Sequence, residues 1–384
     1  MLPRSSPRLA LLHHQFGPYH VARARVLRRT FPGTVDLIQL AESEAIRAWR
    51  ADPGDLGIQT AVPGELESAS PAAVTHATEA ILERLRPPVI AISGYAHPAM
   101  RRAATWARRR GAKAILISDS QARDLPRRAW KERLKRLFVS RNFDAAFVSG
   151  ASAAFYVESL GIPAHRIWRG YDVVDNEHFA EGARRARADA ATLRGALWLP
   201  SRYLLYVGRF APEKNLARLI DAFGRACGDR AFDGWSLVLV GGGPLDAELK
   251  RQAAPRGGRI HFVPFQQAER LPAYYGLAEA LVLPSLVEPW GLVVNEATAA
   301  GLPVVISGQC GCAAELVFPN LNGLIVDPTD VPALAAALVE ISRDEARRRA
   351  WGQQSARLVA TFSLEAWAEV LTACGLALMP VSAS

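Results

Sequence analysis

Four charged residues carry the chemistry that can be read from this chain: Arg209, Lys214, Glu288 and Glu296. Arg209 ends the apolar run RYLLYVGR (202–209), and Lys214 follows within VGRFAPEKN, where the next helix is expected to begin. Two cations beside a helix N-terminus suit a diphosphate. A charge with no partner at the end of a buried strand is costly, which favours a ligand over an idle surface pair. Glu288 and Glu296 lie in LVLPSLVEPWGLVVNEATAAGLPVV (281–305). LVL (281–283) and PVV (303–305) read as buried parallel strands, with a helix starting near Pro289–Gly291 between them. Gly291 lets a ligand approach the backbone closely, and the free amides of a helix start bind anions. Glu296 sits four residues after Leu292, one turn on along the same face at about 5.4 Å pitch. A phosphate near Gly291–Leu292 would bring Glu296 within reach of a neighbouring sugar ring, with Glu288 on the other side. Two carboxylates flanking an anion site suit a ligand with hydroxyls on both sides of a phosphate, as in a nucleotide sugar.

The elements that must hold these residues alternate strand and helix. Strands are expected at 8–13, 34–40, 89–93, 112–118 and 145–150, with a loop over the Pro-, Gly- and Ser-rich residues 51–70. Residues 161–182 lose periodicity and read as a hinge, after which the alternation restarts with strands at 202–209, 235–243, 259–263, 281–283, 303–305 and 323–326. The expected organisation is one Rossmann-like domain over 1–180, a second over 181–361, and a C-terminal helix in 362–384 packing back toward the first domain. In doubly wound α/β sheets, ligands bind outside the C-terminal ends of the strands. Gly17, His97, Asp119, Arg209, Gly241–Gly243 and Glu288 fall at those ends, so the site is expected in a cleft between two facing domains.

Composition limits the partners. The chain has 384 residues, 50% of them hydrophobic, and a net charge of +9. This is a globular composition, long enough for two domains. The positive charge suits a phosphorylated ligand, an anionic membrane or nucleic acid, or is simply an Arg-rich surface. The Arg clusters come without any nucleic-acid motif, so nucleic acid is set aside. No apolar run approaches the roughly 20 residues of a transmembrane helix, and Leu9–Leu12 is too short for a signal segment. Cys227, Cys310, Cys312 and Cys374 form no CxxC pair. A metal or labile disulfide at Cys310 and Cys312 is open, but reduced thiols in a small-residue loop fit better.

The order of motifs resembles a known family. GRFxxEKN, then Gly241-x-Gly243-Pro244, then Pro-Ser, then Glu288-x7-Glu296, then AxGxPVV is similar to the donor domain of the family 4 retaining glycosyltransferases of GT-B fold. The likeness covers about Tyr203 to Pro328; the first half matches in architecture only. It implies that Arg209 and Lys214 neutralise the donor diphosphate. Glu288 would contact sugar hydroxyls and Glu296 the ribose. Amides of Trp290, Gly291 and Leu292 would hold sugar and phosphate, Gly241 would lie in the donor loop, and Val263, Pro264 and Phe265 would line the base pocket. Gly17 would approach the phosphates, and His97 corresponds to a histidine near the reacting sugar. The chain departs from the pattern at Pro289-Trp290, at Tyr171–Asp175, at Phe16-Gly17 and in the loop Gly308–Cys312, which places the cysteines beside the donor and not in a metal site.

The Asp-x-Asp signature of the other main glycosyltransferase fold is absent, so the cations and the helix dipole are expected to act without metal or other cofactor, the nucleotide sugar being a co-substrate. As the diphosphate leaves, an oxocarbenium-like sugar would form and be attacked from the same face. The acceptor is expected to be a carbohydrate or lipid-linked glycan in cell-surface polysaccharide assembly. A nucleotide-sugar 2-epimerase and a non-catalytic binding module are the competing functions. His97 before Pro98 serves equally as a helix cap, and Asp119 as a turn residue or an acceptor contact. In PRRAWKERLKRLFVSR (126–141), Trp130, Leu134, Leu137 and Phe138 recur at helical spacing among Lys and Arg. That pattern fits a helix lying on anionic lipid, which would make a cytoplasmic protein peripheral at the inner membrane face. It also fits a core-packed helix with a basic outer face, the reading preferred here.

Overall fold

A computed structural model describes residues 6–45, 49–124 and 126–379. The last residues of the expected C-terminal segment, 380–384, lie outside these. The chain divides into two compact units, Met1–Val173 with Leu364–Ser384, and Val174–Ser363.

The first unit is built on β1 (Arg8–His13), β2 (Thr34–Gln39), β3 (Gln59–Thr60), β4 (Val89–Ser93), β5 (Lys113–Ser118), β6 (Ala145–Val148) and β7 (Ile167–Arg169). They form one sheet in the order β3-β2-β1-β4-β5-β6-β7, and its pairings are parallel. Leu9, Ala10, Leu11 and Leu12 are fully buried, as a central strand covered on both faces requires. The crossovers carry α1 (Pro18–Thr30), α2 (Pro71–Leu85), α3 (Pro98–Arg110), α4 (Ala129–Asn142) and α5 (Ala151–Ser159). Proline opens α1, α2 and α3, where a missing N–H leaves no bond unmade. The chain's last helix, α15 (Leu364–Leu378), belongs to this unit and packs on α1. Its Trp367 is buried, 5.9 Å from the Phe147 ring.

The second unit begins with α6 (Asn176–Ala188) and α7 (Ala190–Ala196). It continues through β8 (Tyr203–Arg209), α8 (Leu216–Ala226), β9 (Ser236–Gly242), α9 (Asp246–Ala253), β10 (Ile260–Val263), α10 (Leu271–Leu277) and β11 (Ala280–Leu283). It ends with α11 (Leu292–Ala299), β12 (Val304–Ser307), α12 (Ala313–Leu316), β13 (Gly323–Val326), α13 (Val331–Arg343) and α14 (Glu345–Val359). The sheet runs β10-β9-β8-β11-β12-β13, all parallel. The order reverses between β8 and β11, which is the switch point where doubly wound sheets take ligands.

Three segments differ from expectation. Residues 161–182 do contain the boundary between the two units, at Val173 and Val174, but they are not irregular throughout: they also hold edge strand β7 and the start of α6. The buried face of α6 is made mostly of small residues, Phe179 with Ala183 and Ala186. Small residues are needed because α6 lies close on α10. A Cβ on Gly182 would stand 2.4 Å from Pro272 Cβ, and one on Gly276 would stand 2.7 Å from the Ala183 carbonyl oxygen. The second segment is 51–70, which holds the two-residue β3 and a 3-10 turn at Leu66–Ser68. The third is α4, where Trp130, Leu134, Leu137 and Phe138 were expected to pack on the core: Phe138 does so, the other three do not. Only Val139 and Asn142 are buried, while Trp130, Leu134 and Leu137 are 57%, 58% and 47% exposed.

The stretch Glu345–Leu378 is in total long and apolar enough to cross a membrane. It is not one continuous helix. Residues 360–363 separate α14 from α15, and each half buries a tryptophan, Trp351 in its own unit and Trp367 in the other.

Candidate functional site

In the second unit the loops after β8 and β11 flank the switch point. After Arg209 the chain turns through buried Phe210 into a 3-10 turn, Pro212–Lys214, ended by Asn215 in the left-handed region at φ 61°. The Leu286 amide donates to the Glu213 carbonyl at 2.8 Å, so the loop after β11 is tied to that turn. This docking brings Lys214 Nζ to Glu288 Oε2 at 2.5 Å, with both side chains mostly buried. Ser285 Oγ donates to the same oxygen at 3.1 Å. Arg209 is different. Its side chain is 57% exposed and among the described residues pairs with Glu213, at 4.0 Å, an open pairing that leaves the guanidinium available to an anion.

Asn215 is the residue that sequence reasoning passed over, although it stands in the quoted motif. It is 5% exposed. Its Nδ2 donates to the Pro284 carbonyl at 3.0 Å and to the Pro328 carbonyl at 2.7 Å. One amide thereby pins together the loops after β8, β11 and β13. The signal was an Asn directly after the motif lysine, since Asn is the non-glycine residue that best accepts the left-handed region.

The glycine run at the end of β9 serves packing first. A Cβ on Gly241 (φ 148°) would stand 1.9 Å from the Gly208 carbonyl oxygen. One on Gly243 (φ 156°) would meet the Phe210 carbonyl oxygen at 2.6 Å. Phe210 N–H donates to Gly242 O at 2.8 Å, which docks the two loops. Gly241 therefore stands where the ends of β8 and β9 pair, opposite Gly208.

Gly291 caps α11 at φ 103°, a conformation that favours glycine, and is crowded by Leu283, Glu288 and Cys312. Leu292 opens the helix. Glu296, one turn on, is 1% exposed, and Tyr275 OH donates to its Oε2 at 2.6 Å. Trp290 does not line open space. It is 3% exposed, its Nε1 donates to Asn295 Oδ1 at 2.8 Å, and its ring lies 6.0 Å from Phe362. The backbone at Trp290, and not its ring, faces the loop: Cys312 N–H donates to Trp290 O at 3.1 Å, and Gly311 N–H to Glu288 O at 3.0 Å. Cys310 and Cys312 are buried thiols behind this wall. Burial, reinforced by Cys310 and Glu288, pushes the Cys312 thiol well above its ordinary range and keeps it protonated. Among the described residues no cluster of three or more His, Cys, Asp or Glu could hold a metal. Val263 ends β10, and Pro264 and Phe265 follow it exposed, Phe265 at 40%.

In the first unit, Gly17 caps α1 with an ordinary extended backbone, and its N–H donates to His20 Nδ1 at 3.3 Å. A Cβ there would meet the Trp49 ring at 3.1 Å. His97 caps α3, its Nδ1 accepting from Ala99 N–H at 3.1 Å. That bond fixes the neutral tautomer with its proton on Nε2. Burial, then His14 and Arg101, hold the imidazole below its usual value, against a weaker pull from Glu44. Asp119 is exposed beyond β5. The sequence HHQFGPYH also assembles rings that were not singled out: His13 lies 4.4 Å from His20, and His14 lies 6.2 Å from His97.

Residues 197–358 match the family model described as glycosyl transferases group 1. A GDP-mannose-dependent alpha-(1-6)-phosphatidylinositol monomannoside mannosyltransferase of Mycolicibacterium smegmatis is 32% identical over 268 residues. That match covers 64% of this chain and 65% of that protein. The chain thus spans a little under two thirds of the length of this curated relative. The fold is shared with sucrose-phosphate synthase from Thermosynechococcus elongatus, at a TM-score of 0.72, 23% identity and coverage of 97% of this chain and 99% of that one. It is shared also with Anabaena HepE in complex with UDP-glucose, at a TM-score of 0.75, 16% identity and coverage of 96% and 99%. These two sheets therefore form a GT-B glycosyltransferase fold.

Proposed function

We propose that this chain, whose residues 197–358 belong to the glycosyl transferases group 1 family, transfers a sugar from a nucleoside-diphosphate sugar to a hydroxyl, with retention at the anomeric carbon. The observation that carries the reading is the Lys214–Glu288 pair set beside the α11 helix start. A cation held ready by a carboxylate, next to helix amides, matches a ligand that carries a diphosphate and a polyhydroxylated ring on adjoining atoms.

The roles follow the chemistry of each group. Arg209 and Lys214 take the diphosphate and stabilise the charge that develops as it leaves. Together with the dipole of α11 they make a metal ion unnecessary. Glu288, relieved of Lys214 when phosphate arrives, turns its carboxylate to sugar hydroxyls. Glu296 accepts from the ribose, and Val263, Pro264 and Phe265 meet the base. In the first unit the reading assigns Gly17 to backbone approach on phosphate and His97 Nε2–H to donation to a sugar oxygen. Asp119 is assigned to the acceptor.

The bond from the anomeric carbon to the diphosphate oxygen breaks and a bond to the acceptor oxygen forms on the same face. The acceptor proton passes to the departing phosphate oxygen, so no side-chain nucleophile is required. The acceptor is a carbohydrate or lipid-linked glycan, in keeping with the phosphatidylinositol mannoside named for the mycobacterial relative. The reaction belongs to the cytoplasmic face of cell-surface glycan assembly.

The test is a thermal-shift screen against GDP-, UDP- and ADP-sugars, followed by product analysis. A donor that binds raises the melting temperature by mass action. Release of nucleoside diphosphate with an α-linked product from an α-linked donor confirms the proposal. An epimerised sugar still bound to nucleotide, or no shift with any donor, overturns it.

A further inference from the structure

Helix α4 carries apolar side chains on two opposite faces. Val139 points into the sheet and is fully buried. At 3.6 residues per turn, Trp130, Leu134, Leu137 and Arg141 fall on one stripe, about half a turn from Val139. The three apolar members of that stripe are 57%, 58% and 47% exposed. A helix of this kind on a folded domain normally spends its apolar residues on the core side. Here three of the largest are turned to water.

The stripe is flanked by positive charge. Lys131, Arg133, Lys135, Arg136 and Arg141 stand against the single acid Glu132, five positive against one negative for a net +4. Glu132 is moreover occupied, accepting from Lys135 Nζ at 2.8 Å and Tyr156 OH at 2.9 Å. Tyr156 belongs to α5, so this contact locks the rotation of α4 and holds the stripe outward. Lys131 Nζ lies 5.5 Å from the Trp130 ring centroid.

We propose that α4 is a docking surface for an anionic lipid bilayer, with Trp130, Leu134 and Leu137 entering the headgroup boundary and Lys131, Arg133, Arg136 and Arg141 on lipid phosphates. Charge decides the occupant. A second copy of this chain would bring the same net +4 against itself, whereas an anionic leaflet attracts it. A tryptophan with two leucines between basic side chains is the composition of helices that lie in a membrane interface. The surface stands independently of the donor residues, so the two proposals fail separately.

The experiment is co-sedimentation of the full chain with phosphatidylcholine vesicles, with and without phosphatidylglycerol. Binding is expected to the anionic vesicles only, weakening with salt. Leu134→Glu with Leu137→Glu, and separately Arg133→Glu with Arg136→Glu, are each expected to lower it by about tenfold or more. Circular dichroism and an unchanged melting temperature without ligand show that the variants are folded. If the glutamate pair does not fold, Trp130→Ser with Leu134→Ser takes its place. No association with anionic vesicles overturns the proposal, as does binding untouched by the leucine changes. So does a dimer in sedimentation that Leu134→Glu abolishes, since the face would then pair copies of the chain.

Discussion

Lys214 and Glu288, 74 residues apart, meet at 2.5 Å because the loops that carry them are pinned to one another by the Leu286–Glu213 backbone bond. Each is mostly buried, so each is the other's main solvation. Lys214→Ala should lower kcat by about a hundredfold or more, the scale of removing one preorganised charge-stabilising donor. Glu288→Gln keeps the shape and the Ser285 contact but loses the charge, and should cost less. Steady-state kinetics with saturating donor separate the two, and equal, small losses would remove both from the chemistry.

Asn215 yields a stability prediction. Alanine would strand two carbonyls, Pro284 O and Pro328 O, and strain the left-handed backbone. The expected loss is about 2–3 kcal/mol, which lowers the melting temperature of a unit this size by roughly 4–12 °C. Asn215→Gly accepts the backbone but makes no bonds, so it should fall between wild type and Asn215→Ala. Differential scanning calorimetry checks the order.

These two relationships show what was legible in advance. The alternation of apolar runs with helices announced two parallel sheets, because a buried parallel strand is apolar on both faces and little else in sequence looks like it. The order of Arg209, Lys214, Glu288 and Glu296 carries the resemblance on which the proposed donor chemistry rests. Partners did not show. Nothing in the chain tells that Glu296 is held by Tyr275, or that Asn215 joins three loops, since side-chain contacts between distant segments depend on loop path. Trp290 illustrates the same limit. Pro289-Trp290 is visible as a departure from the family pattern, but the burial of the ring against Phe362 is not; a large ring has more to gain there than in solvent. For α6 the sequence did not tell that alanine and glycine are there to let it lie close on α10. For α4 the periodicity was visible but its direction was not: spacing reveals a stripe, not which side faces the core.

Two neighbouring glycines should respond oppositely to the same change. Gly241→Ala would drive a Cβ to 1.9 Å from a backbone oxygen that cannot move away, whereas a Cβ on Gly242 meets nothing within 4 Å. Gly241→Ala should cost about 3 kcal/mol or more and yield little folded protein; Gly242→Ala should be nearly neutral. Expression yield and chemical denaturation of the pair decide it.

His97 makes the first unit sensitive to acid. Its imidazole is held below the ordinary value of 6.5 by burial, His14 and Arg101. The unfolded chain therefore takes up this proton at a higher pH than the folded one, and stability rises with pH between the two values. Falling pH should begin to destabilise the unit as it passes about 6.5, the unfolded value, and the loss should level off below the folded value. Protonation also removes the Nδ1 lone pair that caps α3. His97→Asn keeps a good cap without a titrating ring, so the difference in melting temperature between variant and wild type should grow in the variant's favour from pH 7 to pH 5. A constant difference across that range would show that His97 does not contribute.

Tyr275 positions Glu296 without standing in the reaction. Its hydroxyl donates at 2.6 Å to one carboxylate oxygen of a residue that is 1% exposed. A carboxylate so buried depends on donors for its charge and for its orientation. Tyr275→Phe removes that donor while keeping the ring that packs against Phe179 at 5.8 Å. Because Glu296 is assigned to the ribose, far from the bond that breaks, the variant should raise the donor KM by about tenfold and leave kcat within about twofold, the pattern of binding lost equally from ground and transition states. A fall in kcat at unchanged KM would move Glu296 from the nucleotide to the reacting sugar and exchange its role with that of Glu288.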